Sequence, residues 1–394
     1  MPCSKLNVYR RPRWSGTGGP ILQRKKILIQ AIGSPNKLPS LLNKLHRTAE
    51  QDIYEIVEDP SSADLIIFCA SFGSWTGPGL AASVKAHPLI RKYPQKCAAY
   101  SEDPCYLPLI PGIYTSATKG FSTRTGRAVT YAYITRHVQL GNPYTVAANC
   151  HIEKDLLFSF QGASTAFVRK RLFKLNFNRR DVLIEDTSSH RNWFFDSRTE
   201  SRQKIYVETI RRSHFVLCPR GSGAGSFRLF EVMRMGAAPV LISDNYVLPT
   251  GPNWESFLIR VPERRIAELP AILDAHRAES AERGQHARDA WVQWFDTGKE
   301  FNQIIARSQE ALNASARFEW LYRASWNLQI ARFHALWWLR RKARSLAFSV
   351  VRLLGIKFPY SLRGNDPVPF DPMSITDDLS ESAKAKLRFE IIEP

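Results

Sequence analysis

Two arginines and a glutamate bracket a run of glycines: Arg220, then Gly221-Ser-Gly-Ala-Gly-Ser226, then Arg228 and Glu231. Glycines let a backbone come close to a ligand. A helix beginning just after them offers unpaired N–H groups and a positive dipole end, and arginines add fixed cations. That chemistry suits a phosphate. Glu231 cannot help hold one, but a carboxylate at that point can accept both hydroxyls of a ribose, so the combination describes a nucleotide diphosphate. A tight turn followed by a helix cap is the plainer reading of the glycines alone.

The elements that must position these groups are legible around them. Phe215 to Cys218 is a short apolar run, Pro219 to Gly225 a loop, and Phe227, Leu229, Phe230 and Met233 recur at helical spacing until Gly236. Ser226 stands where an N-cap belongs, and Pro239 to Ile242 reads as a second strand. This predicts a β-loop-α-β unit of a parallel sheet, with the loop at the carboxyl edge where such sheets bind ligands. Lys154 to Ser159 predicts another strand, ending in a second glycine loop at Gly162 before the basic helix Phe167 to Leu175. A diphosphate between the two loops would meet Gly162 and one of Arg169 or Arg171, although a solvated basic face is the simpler fate of those arginines.

A second constellation lies upstream, where Glu102 and Asp103 follow the apolar stretch from Ala98 and precede Pro104. A carboxylate at a strand end facing a cleft could take the proton from an acceptor hydroxyl. The alternative is a capped turn opened by Asp103-Pro104. Glu263 suits helix capping or a ribose contact, and Trp291, Trp294 and Phe295 read as core before sugar platform.

The central run, Ser-x-Phe-x-Leu-Cys-Pro-Arg-Gly from Ser213, Ser-Phe-Arg-Leu-Phe-Glu-Val-Met from Ser226 and Gly-Ala-Ala-Pro-Val-Leu-Ile-Ser-Asp to Asp244, resembles the exostosin-like glycosyltransferases. The likeness extends from about Asp64 to Phe295, through Leu248-Pro249, Trp254, Val261-Pro-Glu263 and Trp291-x-x-Trp-Phe295. The resemblance implies an α/β protein of two facing Rossmann-like domains, the GT-B type of glycosyltransferase fold. It further implies an inverting, metal-independent transfer from a nucleotide-diphosphate sugar to a glycan or lipid-linked glycan in cell-surface polysaccharide synthesis. Carried over residue by residue, it assigns Arg220 and Arg228 to the phosphates, Gly221 and Ser226 to the loop, and Glu231 to the ribose. Glu102 and Asp103 are the candidate bases. A UDP- or GDP-linked donor is expected, with no D-x-D metal motif and no cofactor.

The formal charge of +19 suggests nucleic acid until it is located. Seven Lys/Arg and no acid precede Ile27, and nine Lys/Arg against Glu319 lie between Arg317 and Lys357, so the excess sits mainly near the two ends. No nucleic-acid recognition motif accompanies it, and none is expected as partner. A non-catalytic sugar-binding subunit keeps the same fold. The six cysteines show no paired or metal-ligand spacing, which fits a reduced compartment. With no secretory signal or apolar span visible, a cytoplasmic location is expected, peripheral on the inner membrane face.

Five segments follow: a flexible basic arm at 1–23, an acceptor domain at 24–150, a nucleotide-sugar domain at 151–315, a basic aromatic extension at 316–358 and an acidic tail at 359–394. Ser71 to Gly79 reads as a strand-end loop where an acceptor could rest. In the extension, Trp320 to Ile356 mixes aromatics with arginines as an amphipathic helix does, either on an anionic bilayer or packed on its own domain.

Overall fold

The computed structural model describes residues 24–32, 37–70, 83–104, 107–134, 142–146, 152–190 and 199–332, with positions 335, 339 and 342 beyond them. The basic arm, the Ser71–Gly79 loop, the acidic tail and most of the chain past 332 lie outside the described residues.

Six strands form a first, parallel sheet: β1 (Lys25–Ala31), β2 (Tyr54–Ile56), β3 (Leu65–Ala70), β4 (Cys97–Ser101), β5 (Gly112–Tyr114) and β6 (Ala128–Val129), in the order β2-β1-β3-β4-β5-β6. Every residue of β3 and β4 is buried, the continuous apolar run expected of a strand covered on both faces. Helix α1 (Leu38–Thr48) buries Leu38, Leu41, Leu42 and Leu45, the stripe that a 3.6-residue period places on one side. Strands β5 and β6 carry no sign in the sequence. Both are too short for periodicity to register, and their pairing with β4 and with each other defines them.

The second sheet is also parallel, with order β11-β10-β9-β7-β8, built from β7 (Leu156–Gly162), β8 (Val182–Asp186), β9 (Ser213–Pro219), β10 (Ala238–Ile242) and β11 (Ile259–Arg260). Strand β8 lies in a charged stretch that carries no clear strand signal of its own. It pairs along Phe158↔Val182 to Gly162↔Asp186, and as an edge strand its alternation is blurred by Glu185 and Asp186. Helix α2 (Phe167–Lys174) follows β7, α3 (Thr199–Arg211) precedes β9, and α4 (Phe227–Met235) joins β9 to β10, ending at Gly236 in a left-handed C-cap. Strand order reverses between β7 and β9, so their carboxyl ends flank a topological switch point, the crevice where open α/β sheets take ligands.

The two sheets meet at their carboxyl ends. Thr118, just past β5, bridges Tyr246, just past β10, in antiparallel fashion, and Lys119 N donates to Asn245 O at 2.9 Å. Helix α5 (Ser280–Trp294) lies against α4 and β10, whereas α6 (Thr297–Ser315) returns to pack on α1, β4 and β5 of the first sheet. Trp291 and Phe295 are buried in the core that spans both sheets, as read from the sequence.

Candidate functional site

The glycine loop is held from beneath by an arginine. Arg169 on α2 is buried. Its Nε donates to Arg220 O at 2.9 Å, Nη2 to Pro219 O at 2.9 Å and Nη1 to Ala163 O at 3.2 Å. Burial, with the neighbouring Arg228 charge, pushes it down to about 9. The solvated basic face expected for Arg169 is therefore corrected: three backbone carbonyls at the ends of β7 and β9 replace its water. Arg171 instead reaches Glu263 O at 3.3 Å.

Arg228, in the first turn of α4, lies across the switch point. Its Nη2 donates to Gln161 O, its Nε donates to Tyr206 Oη at 3.1 Å, and its guanidinium stands 4.5 Å from the Phe160 ring centre. Tyr206, from α3, passes the chain on by donating to Glu231 Oε2 at 2.7 Å. Burial drives the Tyr206 hydroxyl pKa well up, so it remains a neutral link between the two charges. Arg228 and Glu231 thus belong to one relay. Arg220 stands at the rim, paired through Nε and Nη2 with Glu263 at 2.6 and 3.3 Å, while Glu263 N donates to Asp244 Oδ1 at 3.0 Å.

Ser226 occupies the N-cap position of α4, but its hydroxyl makes no capping bond. At 3% exposure its Oγ has no hydrogen-bond partner among the described residues, and neither do Arg228 Nη1, Thr165 Oγ1 and Gln161 Oε1. Four buried polar atoms at the ends of β7 and β9 therefore lack partners. Buried donors and acceptors are ordinarily satisfied, so such a cluster has free capacity to bond the polar atoms of a ligand.

The acid pair belongs to the same neighbourhood. Glu102 and Asp103 are buried just past β4, with Tyr100 Oη 3.0 Å from Glu102 Oε1 and 2.9 Å from Ala132 O, and with Asp103 N donating to Ser101 Oγ at 3.3 Å. A side chain at Gly223 would place Cβ 2.3 Å from Ser116 Oγ and 3.0 Å from Pro104 Cα, and one at Gly225 would come 2.6 Å from Tyr133 Oη. These two glycines are needed because the loop of the second sheet presses on the first, at Ser116, Tyr133 and the backbone of Pro104, the residue after the acid pair. Gly221 makes no such approach, and Gly162 closes β7 with Arg228 Nη2 3.2 Å from its Cβ position.

Sequence reasoning missed Tyr100, Ser116, Tyr133 and Tyr206, whose roles arise only from tertiary approach. It also missed Glu300 on α6, although the helical period gave a signal, since Glu300, Ile304 and Ser308 share one buried ridge. Both Glu300 oxygens lack hydrogen-bond partners among the described residues at 1% exposure. Burial, with Asp296 and Glu102 adding like charge, pushes its carboxyl up to about 8. Among the described residues no cluster of three His, Cys, Asp or Glu could hold a metal ion. Cys69, Cys97 and Cys218 are buried thiols, and burial pushes the last two up to about 12, which keeps them from acting as nucleophiles.

Residues 114–276 match the Exostosin GT47 domain, within the stretch read as similar from the sequence. Over that stretch the chain is exostosin-like. The domain's match takes in both glycine loops, Arg220, Arg228 and Glu231, and begins after the acid pair. A probable glycosyltransferase of Arabidopsis thaliana is 46% identical over 70 residues, covering 17% of this chain and 15% of that protein. The Exostosin-1 homolog of Caenorhabditis elegans is 34% identical over 139 residues, 33% of this chain and 36% of that one. Drosophila melanogaster Exostosin-1 is 31% identical over 166 residues, 37% and 21%. The chain thus aligns with little more than a third of these relatives at most. Among solved structures, MurG of Acinetobacter baumannii superposes at TM-score 0.30 and 11% identity, covering 67% of this chain and 95% of that one. HepE of Anabaena in complex with UDP gives TM-score 0.31 at 11% identity, covering 72% and 98%.

Proposed function

We propose that this chain is a glycosyltransferase that moves a sugar from a nucleotide diphosphate to a glycan or lipid-linked glycan acceptor. The observation that carries the reading is the set of buried atoms without partners at the switch point, Ser226 Oγ and Arg228 Nη1 foremost, at the N-terminus of a helix that follows a glycine loop. The β-phosphate would bond Ser226, Arg228 and the first N–H groups of α4, with Arg220 at the rim. The Tyr206–Glu231 end of the relay would receive the ribose. Arginine and helix N–H groups supply the positive charge that a departing diphosphate needs, and the proposed reaction uses no metal.

The acid pair gives the transfer its direction. Glu102 or Asp103 takes the acceptor proton, the acceptor oxygen attacks the anomeric carbon from the side opposite the phosphate, and the carbon–oxygen bond to the diphosphate breaks as the new one forms. One displacement inverts the anomeric centre. The reading favours a UDP- or GDP-linked donor and a role in cell-surface polysaccharide synthesis on the cytoplasmic side of the membrane.

Thermal shift against UDP and GDP tests this. A nucleotide at 100 times its dissociation constant adds roughly 2.7 kcal/mol to the folded state. Wild type should gain it, Ser226→Ala and Arg228→Lys should lose most of it, and a UDP or GDP shift undiminished in both variants would overturn the site. Transfer lost in Glu102→Gln or Asp103→Asn, with nucleotide binding kept, identifies the base.

A further inference from the structure

We propose that the outward face of the C-terminal helix, together with Phe121 beside it, docks on an anionic lipid bilayer. The surface stands apart from the glycine loop and does not depend on the transfer reading.

The inner face of this segment is already taken. Helix α7 (Glu319–Ala324) and the helical residues 326–332 pack on the first sheet, with Tyr322 and Trp326 buried and Ile330 against the same core. Trp326 Nε1 donates to Leu109 O at 2.9 Å. The fully buried Arg127 binds Glu319, donates through Nε to Pro108 O at 3.0 Å, and lies 4.0 Å from the Tyr322 ring centre. Glu319 also receives Arg323 Nε at 3.1 Å. The part of the Trp320–Ile356 stretch that is described is therefore packed on the protein, anchored along the 322, 326, 330 ridge.

Anchoring leaves the opposite side outward. Leu328, Arg332, Ala335, Leu339 and Lys342 recur at steps of four, three, four and three, and all are exposed, Leu328 to 72% and Leu339 to 55%. Trp320 is 68% exposed, and Phe121, which opens the short helix Phe121–Arg124 between β5 and β6 and is 73% exposed, sits with its ring centre 5.9 Å from that of Tyr322. Bulky apolar side chains interleaved with cations along one exposed face have the form of a surface that enters the headgroup boundary of a bilayer. Charge selects among occupants. The described charges on this face, Arg332 and Lys342, are both cationic, so two copies of it would repel, whereas anionic headgroups attract it. Among the described residues no helix is long and apolar enough to cross a membrane, so the contact is with the surface.

Flotation of the full chain with vesicles of phosphatidylcholine alone, or of phosphatidylcholine mixed with phosphatidylglycerol, provides the test. The chain should float with the mixed vesicles only. The Leu328→Glu/Leu339→Glu variant should lose at least about tenfold in partitioning. Ile53→Glu, an exposed apolar site on the far side of the first sheet's order, should retain binding, and circular dichroism should show all three proteins equally folded. Undiminished flotation of the double variant, an equal loss in Ile53→Glu, or equal binding to neutral vesicles would overturn the proposal. So would a concentration-dependent dimer in sedimentation that the double variant abolishes, because the face would then belong to a second copy.

Discussion

Replacing Glu300 by glutamine should change how stability depends on pH more than it changes stability itself. In the native chain the carboxyl is buried without a hydrogen-bond partner among the described residues and is pushed from 4.5 up to about 8, chiefly by burial. A group whose folded-state value is raised binds its proton more tightly when folded, so its contribution is fully present below pH 4.5 and is lost as pH climbs through 8. Each pH unit is worth 1.36 kcal/mol, so ionising Glu300 in place opposes folding by roughly 5 kcal/mol in all, of which about 3 kcal/mol is already felt at pH 7. Glutamine has the same shape and cannot ionise. Urea unfolding at pH 5, 6, 7, 8 and 9 should therefore show Glu300→Gln near wild type at pH 5 and progressively more stable above it. The gap should widen by about 1 kcal/mol per pH unit and level off beyond pH 8. A gap that does not vary between pH 5 and 8 would refute the reasoning, because it would mean that Glu300 is ionised against a cation or exposed on opening.

Three further outcomes follow from the packing. Gly223→Ala should cost about 1–3 kcal/mol, since its Cβ would lie 2.3 Å from Ser116 Oγ, and Ser116→Gly in the same chain should recover part of it; additive losses in a double-mutant cycle would contradict the contact. Arg127→Met strips the buried partner from Glu319 and from the carbonyls of Pro108 and Leu109, and should cost roughly 3–5 kcal/mol by chemical denaturation, with Arg127→Met/Glu319→Leu regaining most of it. Tyr206→Phe breaks the link from Arg228 to Glu231 and should lower stability by about 1–3 kcal/mol in thermal melts while leaving far-ultraviolet circular dichroism intact.

What the sequence showed and hid divides along a physical line. The unit from β9 to β10 was legible to within two residues at each end, because an apolar run, a glycine loop, a helical period and Gly236 all state the same local preference. The meeting of the two sheets' carboxyl ends followed from the family resemblance. Buried polar groups were misread because their partners come from elsewhere in the chain. Arg169 looks like a solvated residue until three carbonyls from two strands surround it, and Ser226 looks like a cap until its hydroxyl is seen unused. The short strands β5 and β6 exist through their neighbours, not through any period of their own.

The return of Thr297–Ser315 to the first sheet has a practical corollary for dissecting the chain. A fragment ending near residue 150 would lack the helix that covers β4 and β5, baring Tyr100 and Ile113 to water, and should aggregate when expressed alone. A fragment starting there would carry the same helix with its apolar side, Phe301, Ile304 and Ile305, left uncovered. Soluble halves are to be sought by co-expression, or by circularly permuting the helix onto the amino-terminal piece.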